Sequence, residues 1–327
     1  MFTKSLTATE GLAATSSLTE KKSLPASKGL SAKGTMKRKE SLWGYLFIAP
    51  IFLQVILFAC IPAGIVVYAA FTNWNVLKGT REFVGVDNFQ EFLTDPKFWT
   101  AMGNTVYMLL PIPLYLALGL LFALGCHRNT PGNKLFRVLF YLPYISSVVA
   151  LVVMWKWLFN YEYGLVNQTL DSWFGIQGPN WLGDPEWIKR TIVMMIVWKM
   201  IGIASIYLLA ALKNIPESYY EAARLDGASS LRMFFSITLP MLSPILFFLT
   251  IVGVIGSLQT FVEVQLFTSD GGREYSAATV TYYVWQEAFV SSEMGYASSV
   301  ALVFGLVILA VTVGQFKLSH KWVYEGE

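Results

Sequence analysis

Charge is scarce in this sequence. Asp, Glu, Lys and Arg make up 14% of its 327 residues, against ~25% in ordinary soluble domains. It has two cysteines, Cys60 in an apolar run and Cys126 in a basic loop, from which neither a disulfide framework nor a metal spacing can be built. The two histidines, His127 and His320, add nothing to a metal case. No G-x-x-x-x-G-K-[ST] phosphate loop occurs, which excludes ATP hydrolysis by this chain. A net charge of +3 is too small to suggest a nucleic-acid partner. No period of ~20–50 residues stands out, so there is no evident internal repeat.

Apolar residues are abundant instead, at 55%, and the mean hydropathy is +0.51. Folding on itself cannot hide that much apolar surface from water, so the expected fold class is an all-α polytopic membrane protein. A hydrocarbon core of ~30 Å needs ~20 helical residues. Six stretches qualify, at roughly 44–71, 101–125, 136–159, 191–212, 242–267 and 297–316. Four contain proline (Pro50 and Pro62, Pro111 and Pro113, Pro143, Pro244), which membrane helices tolerate when neighbours re-satisfy the backbone. Residues 1–40 are Ser, Thr, Ala and Lys with no apolar run long enough for a signal-peptide core, and read as a disordered tail ending at Lys37-Arg38-Lys39. The expected organisation is that tail, a transmembrane domain over 41–320, and a short tail over 321–327.

Sidedness follows from the basic residues. The N-terminal tail, the 126–137 loop, the 213–241 loop and the C-terminal segment carry 16 of the 24 Lys and Arg. The loops at 72–100, 160–190 and 268–296 carry 6, together with 12 of the 21 acids. Positive charge is retained on the cytoplasmic side, so both termini are expected inside. The outer loops hold helix starts at Asp95-Pro96 and Asp184-Pro185 but no room for a folded domain.

The inner 213–241 loop has helix punctuation. Pro216 and Glu217 suit a first turn, Gly227 a left-handed stop, and Ser229 the cap of a second short helix through Phe234, Phe235 and Ile237 that Pro240 ends. The expectation is a protruding helix–turn–helix with Glu221, Ala222 and Ala223 on its first helix. Alanines beside one acid let another protein's groove approach the helix backbone; an amphipathic connector on the membrane surface satisfies the same loop physics.

Ionisable residues inside spans are functional candidates because their burial is expensive. Lys156, between Trp155 and Trp157, and Glu263 lie near outer span ends, where snorkelling accounts for them. Lys199 lies mid-span beside Trp198, and reads either as a structural pair, with Glu263 as partner, or as part of a substrate path. Gly253, Gly256, Ser257, Thr260 and then Glu263 or Val264 recur at steps of three and four on one helical face, a stripe that fits close helix packing or a path.

Glu221-Ala222-Ala223, three residues, Gly227, nine residues and Ile237-Thr238-Leu239-Pro240 together resemble the signature of the membrane subunits of binding-protein-dependent ABC importers. Flanking stretches resemble the carbohydrate, maltose-type subclass: Tyr45-Leu46-Phe47-Ile48-Ala49-Pro50, Phe71-Thr72-Asn73-Trp74, Val84-Gly85-Val86-Asp87-Asn88-Phe89, Asn104-Thr105, Leu142-Pro143-Tyr144, Trp157-Leu158-Phe159-Asn160 and Gly295-Tyr296-Ala297-Ser298. The likeness covers roughly 41–320, and departs from the enterobacterial maltose protein in having six spans and no large external domain.

The resemblance implies a bacterial inner-membrane permease subunit, not itself an enzyme, that forms half of the pathway for a sugar or sugar derivative. It implies a second homologous permease, two ATPase subunits that hold ATP and Mg, and an external solute-binding protein; the chain itself needs no cofactor. It makes the loop a coupling helix, with Glu221, Ala222, Ala223, Asp226 and Gly227 at the ATPase. Sugar contacts would fall at or beside Tyr144, Trp198, Lys199, Gly253, Ser257 and Thr260, with Glu263 at the path. An amino-acid or phosphonate importer would share the loop signature but not the flanking motifs. A secondary carrier would be expected to show repeats and paired midplane charges.

Overall fold

The computed structural model describes residues 32–127 and 132–324, in two units, Met1–Cys60 and Ile61–Glu327. In the first unit, helix α1 (Ala32–Val55) continues as a π turn over Ile56–Cys60. The backbone is therefore helical from Ala32, inside the stretch read as a tail; Met36-Lys37-Arg38-Lys39-Glu40 are strong helix formers. The rest of that tail, 1–31, lies outside the described residues, as do 325–327 at the other end.

Among its described residues the second unit builds its regular structure from helices, with isolated β-bridges such as Thr72 to Phe83 but no sheet. It opens with α2 (Ile61–Ala70), α3 (Asp87–Thr94) and α4 (Pro96–Tyr107), followed after a tight turn by α5 (Pro111–His127). Both Asp-Pro pairs start helices: Asp95 Oδ1 accepts from the Lys97 N–H at 2.8 Å, and Asp184 Oδ1 from the Glu186 N–H at 2.9 Å. Next come α6 (Asn133–Ile145), α7 (Val148–Leu158), α8 (Leu165–Phe174) and the long α9 (Pro185–Lys213). Then follow α10 (Glu217–Leu225), α11 (Ser230–Met233), α12 (Leu239–Leu258), α13 (Val262–Phe267), α14 (Val280–Trp285) and α15 (Met294–Ser319).

Five described helical stretches are long and apolar enough to cross a membrane: Trp43–Ala70, Pro96–His127, Pro185–Lys213, Ser230–Leu258 and Met294–Ser319. The sixth expected span, 136–159, is not straight. Leu135–Ile145 and Val148–Leu158 meet at 101°. Ser146 donates both its N–H and its Oγ–H to the Leu142 carbonyl, at 3.2 and 2.8 Å, and this local closure ends α6.

The fifth span also differs, at both ends. Pro240 does not end the helix that Ser229 caps. The chain runs through a π turn at Phe234–Thr238 straight into α12. The wider turn, in which the Leu239 N–H reaches back to the Phe234 carbonyl, makes room for the Pro240 ring and its missing donor. At the far end the helix stops at Leu258 rather than continuing to residue 267, and α13 begins after a non-helical step at Thr260 and Phe261.

The core sits where α5, α9, α12 and α15 meet, with Leu208, Leu242 and Val300 fully buried. α6 crosses α9 so closely that a Cβ on Gly202 would overlap the Phe140 carbonyl; glycine is what permits that approach.

Candidate functional site

A cavity of about 250 Å³ opens between α5, α6, α9, α12 and the break before α13. Its wall includes Tyr144, Lys199, Gly253, Ser257, Thr260 and Glu263, six of the seven residues that the sequence placed on a substrate path. Trp198 is not among them. Neighbouring helical residues point ~100° apart, so a lysine turned to the cavity sends its neighbour elsewhere, and Trp198 packs 6.0 Å from Trp155 in a second core cluster.

Within the cavity wall Lys199 Nζ donates to Glu263 Oε1 at 3.0 Å, with side chains 11% and 14% exposed. The geometry forms the pair with Glu263, and the same lysine also lines the cavity. Lys156 does not join it, and reaches the Leu266 carbonyl at 3.3 Å instead.

The stripe at steps of three and four is one face only as far as Ser257, because the helix ends at Leu258. Thr260 and Glu263 reach the same cavity by a different route. The helix breaks there, and two threonines hold its freed carbonyls: Thr279 Oγ1 donates to Thr260 O at 2.6 Å and Thr281 Oγ1 to Leu258 O at 3.3 Å. Irregular backbone at membrane depth survives where it is buried in protein or lines a cavity, and here it does both. Thr279 also caps α14, accepting from the Tyr282 N–H at 3.3 Å.

Sequence reasoning missed part of the wall. Tyr115, Tyr207, Phe248 and Gln259 also line it. Tyr207 and Phe248 meet edge to face at 5.8 Å, and Tyr115 OH donates to Leu249 O at 3.4 Å, filling the space beside Gly253. The signal was present in α12, where Phe248, Val252 and Gly256 recur every four residues.

A second feature lies at the opposite end of α9 and α12 from that break. α10 exposes Glu221 and Ala222, half-buries Ala223, and leads to exposed Asp226 and Gly227. Gly227 has φ +77°, and the turn is closed by Ala228 N–H to Ala223 O at 2.9 Å. Ser229 Oγ caps α11 by accepting from the Arg232 N–H, and the Tyr220 and Thr238 hydroxyls meet at 2.9 Å, so the helix pair is held in one arrangement. A groove of about 240 Å³ between the two helices is lined by Ala223, Asp226, Arg232 and Ile237 among others.

At the end carrying α3 and α14, four of the stretches singled out by resemblance converge, those at 71–74, 84–89, 104–105 and 295–298. Asn88 Nδ2 donates to the Ala70 and Thr72 carbonyls, both at 2.9 Å, and the Gly295 N–H to Trp74 O at 2.9 Å. Asn104 Nδ2 donates to the Tyr275 and Ala278 carbonyls at 3.0 and 2.9 Å. Tyr283 OH donates to Asp95 Oδ2 at 2.6 Å and meets Tyr296 OH at 2.7 Å; burial, and then that bond to Asp95, push its phenol up, so it remains a donor. Among the described residues no group of three His, Cys, Asp or Glu is placed to hold a metal.

The family described as "Binding-protein-dependent transport system inner membrane component" matches residues 116–323. The probable ABC transporter permease protein YesP of Bacillus subtilis is 36% identical over 292 residues, covering 88% of this chain and 93% of that protein. The lactose transport system permease protein LacF of Rhizobium radiobacter is 35% identical, over 88% of this chain and 97% of its own length. A crystal structure of a bacterial alginate ABC transporter in complex with an alginate pentasaccharide-bound periplasmic protein shares the fold, with a TM-score of 0.78 over 89% of this chain and 99% of that one at 22% identity.

Proposed function

The chain belongs to the family of binding-protein-dependent transport system inner membrane components, and from that premise we propose that it is the permease subunit of an ATP-driven importer for a sugar, oligosaccharide or sugar derivative. The observation that carries the reading is the cavity at the broken end of α12. Aromatic residues (Tyr144, Tyr207, Phe248) line it together with hydroxyls and an amide (Ser257, Thr260, Gln259), the combination that stacks on a sugar ring and bonds its hydroxyls. The Lys199–Glu263 pair leaves that wall without net charge from its two ions. The lactose assignment of a relative 35% identical supports the same cargo class.

One chain supplies one wall of a pathway, so a second permease completes it, two ATPase subunits bind ATP and Mg, and an external solute-binding protein delivers cargo. α10 is the coupling element, offering Glu221 and the turn at Gly227 to a cleft on the ATPase. Closure of the ATPases then drives alternating access. In this arrangement α10 and both termini are cytoplasmic, and the end carrying α3, α8 and α14 is external. Deleting the chain from its host and measuring uptake across a panel of labelled sugars tests the reading. Loss of uptake for one cargo, restored by the gene, is expected; undiminished uptake of every sugar, with loss for an amino acid, would move the chain to a different cargo class.

A further inference from the structure

At the end proposed as external, α8 has an apolar side that the rest of the chain leaves open. At ~100° per residue, Leu165, Val166, Leu170, Trp173 and Phe174 fall on one half of the helix, and Gln168, Asp171 and Ser172 on the other. Val166 and Leu170 are half-buried, but Trp173 is 78% and Phe174 66% exposed, and exposed Ile176 continues the same edge past the helix end. The level of α8 is set by what holds it. A Cβ on Gly164 would overlap the Leu158 and Asn160 carbonyls, so α8 starts against the end of α7. Asn167 Oδ1 accepts from Trp181 Nε1 at 2.7 Å, and the Trp181 ring packs on Phe159 at 5.3 Å and Trp187 at 4.8 Å. Phe159 directly follows α7, and Trp187 lies in the first turn of α9. Thr191 Oγ1 donates to Trp181 O at 3.0 Å, and Lys189 Nζ to Asn104 Oδ1 at 3.1 Å, so this end of α9 is fixed to α4 as well. The first half of α8 is thus tied to the points where two spans leave the membrane.

We propose that α8 lies in the outer-leaflet interface of the membrane, with Trp173, Phe174 and Ile176 seated among the headgroups and upper acyl chains of zwitterionic lipid. Trp and Tyr concentrate at that depth, and Trp155, Trp157, Trp173, Trp181 and Trp187 all belong to this stretch. The apolar edge is also continuous with one already turned outward: Val149, Val153 and Trp157, four residues apart along α7, are exposed and lead up to it. No Lys or Arg occurs between Lys156 and Lys189, while Glu162, Asp171, Asp184 and Glu186 do. Attraction to anionic lipid therefore does not hold the helix, and its attachment is hydrophobic. A soluble partner that docks and leaves would return Trp173 and Phe174 to water in every cycle; lipid covers them throughout. So seated, α8 keeps the outer ends of α7 and α9 level with the membrane surface. The choice of leaflet rests on the orientation in the transport reading; the contact with lipid does not.

The test places one fluorophore on each side of α8. In the full chain with Cys60→Ser and Cys126→Ser, either Trp173→Cys or Asp171→Cys is labelled with nitrobenzoxadiazole and reconstituted in phosphatidylcholine vesicles. Lipid carrying a nitroxide near its headgroup should quench the Trp173→Cys label several-fold more than the Asp171→Cys label, and aqueous iodide should do the reverse. Raising the salt should change neither. Equal quenching of the two labels by iodide, or lipid quenching that salt abolishes, would overturn the proposal. The measurement is repeated on the assembled transporter with its binding protein. Lipid quenching at Trp173→Cys should persist there, and its loss would give this face to a protein partner instead. A membrane-impermeant maleimide should reach Asp171→Cys from outside intact spheroplasts. Labelling only after lysis, with lipid quenching unchanged, would move α8 to the inner leaflet and overturn the orientation in the transport reading, so the two failures are separable.

Discussion

Lys199 and Glu263 are joined at 3.0 Å across a break in the helical backbone, one on the continuous α9 and the other on the short α13. A non-helical step at Thr260 and Phe261 separates α12 from the helix that carries Glu263, so the pair reports on the break as well as on the cavity.

A double-mutant cycle on Lys199→Met and Glu263→Gln should show coupling of about 1–3 kcal/mol in detergent stability, as contacting charged residues do. Each single change strands a charge in a mostly buried wall, and the second removes that penalty. Additive losses within about 0.5 kcal/mol would show that the ions do not act together.

Thr279→Val should destabilise by about 1–3 kcal/mol, because it leaves the Thr260 carbonyl without its partner and removes the cap of α14. Thr279→Ser keeps the hydroxyl and should retain most of the stability. Both are read as shifts in the thermal midpoint of the purified chain. A serine variant as damaged as the valine one would assign the effect to packing of the methyl group.

Gly202→Ala should impair assembly, since the added carbon overlaps the Phe140 backbone, whereas Gly256→Ala, which meets nothing within 4 Å, should assemble normally. Monodispersity on size exclusion distinguishes them. Equal behaviour would mean that α6 and α9 are not held as closely as described.

At the other end, Gly227→Val forces a β-branched residue into positive φ at a cost of about 1–2 kcal/mol and should disrupt the turn after α10. Glu221→Lys leaves the helix intact but reverses its charge. Both variants should reach the membrane and lose co-purifying ATPase. ATPase retained by Glu221→Lys at the level of the unaltered chain would remove the coupling role from that residue.

The legibility of this sequence follows from which interactions are local. Apolar runs ~20 residues long mark spans whatever they pack against, and Asp-Pro pairs mark helix starts because the cap bond reaches only two residues, so both were readable. The bend at Ser146 and the π turn before Pro240 depend on how one serine and one proline are accommodated, and the same residues elsewhere would end a helix or leave it straight. The break after Leu258 is fixed by Thr279 and Thr281, about twenty residues further on, and nothing within the span announces it. Lys199 and Glu263 were recognisable as candidates from cost alone, but their distance was not, because it depends on that break. Asn104 was visible as part of a motif, yet its use as a three-way clamp between α4, α9 and the 275–278 loop appears only when the chain is folded.

The central claim, that this chain couples cargo movement to ATP on a partner, is tested most directly in sealed vesicles. The chain would be reconstituted with its second permease, its ATPases and a cargo-loaded binding protein, and uptake of the labelled sugar measured with ATP supplied to the ATPase side. Uptake should require both ATP and the binding protein, and should fall to background with Glu221→Lys while the complex still purifies with its permease partner. Uptake that proceeds without ATP on an ion gradient, or that is unchanged when this chain is omitted, would contradict the account.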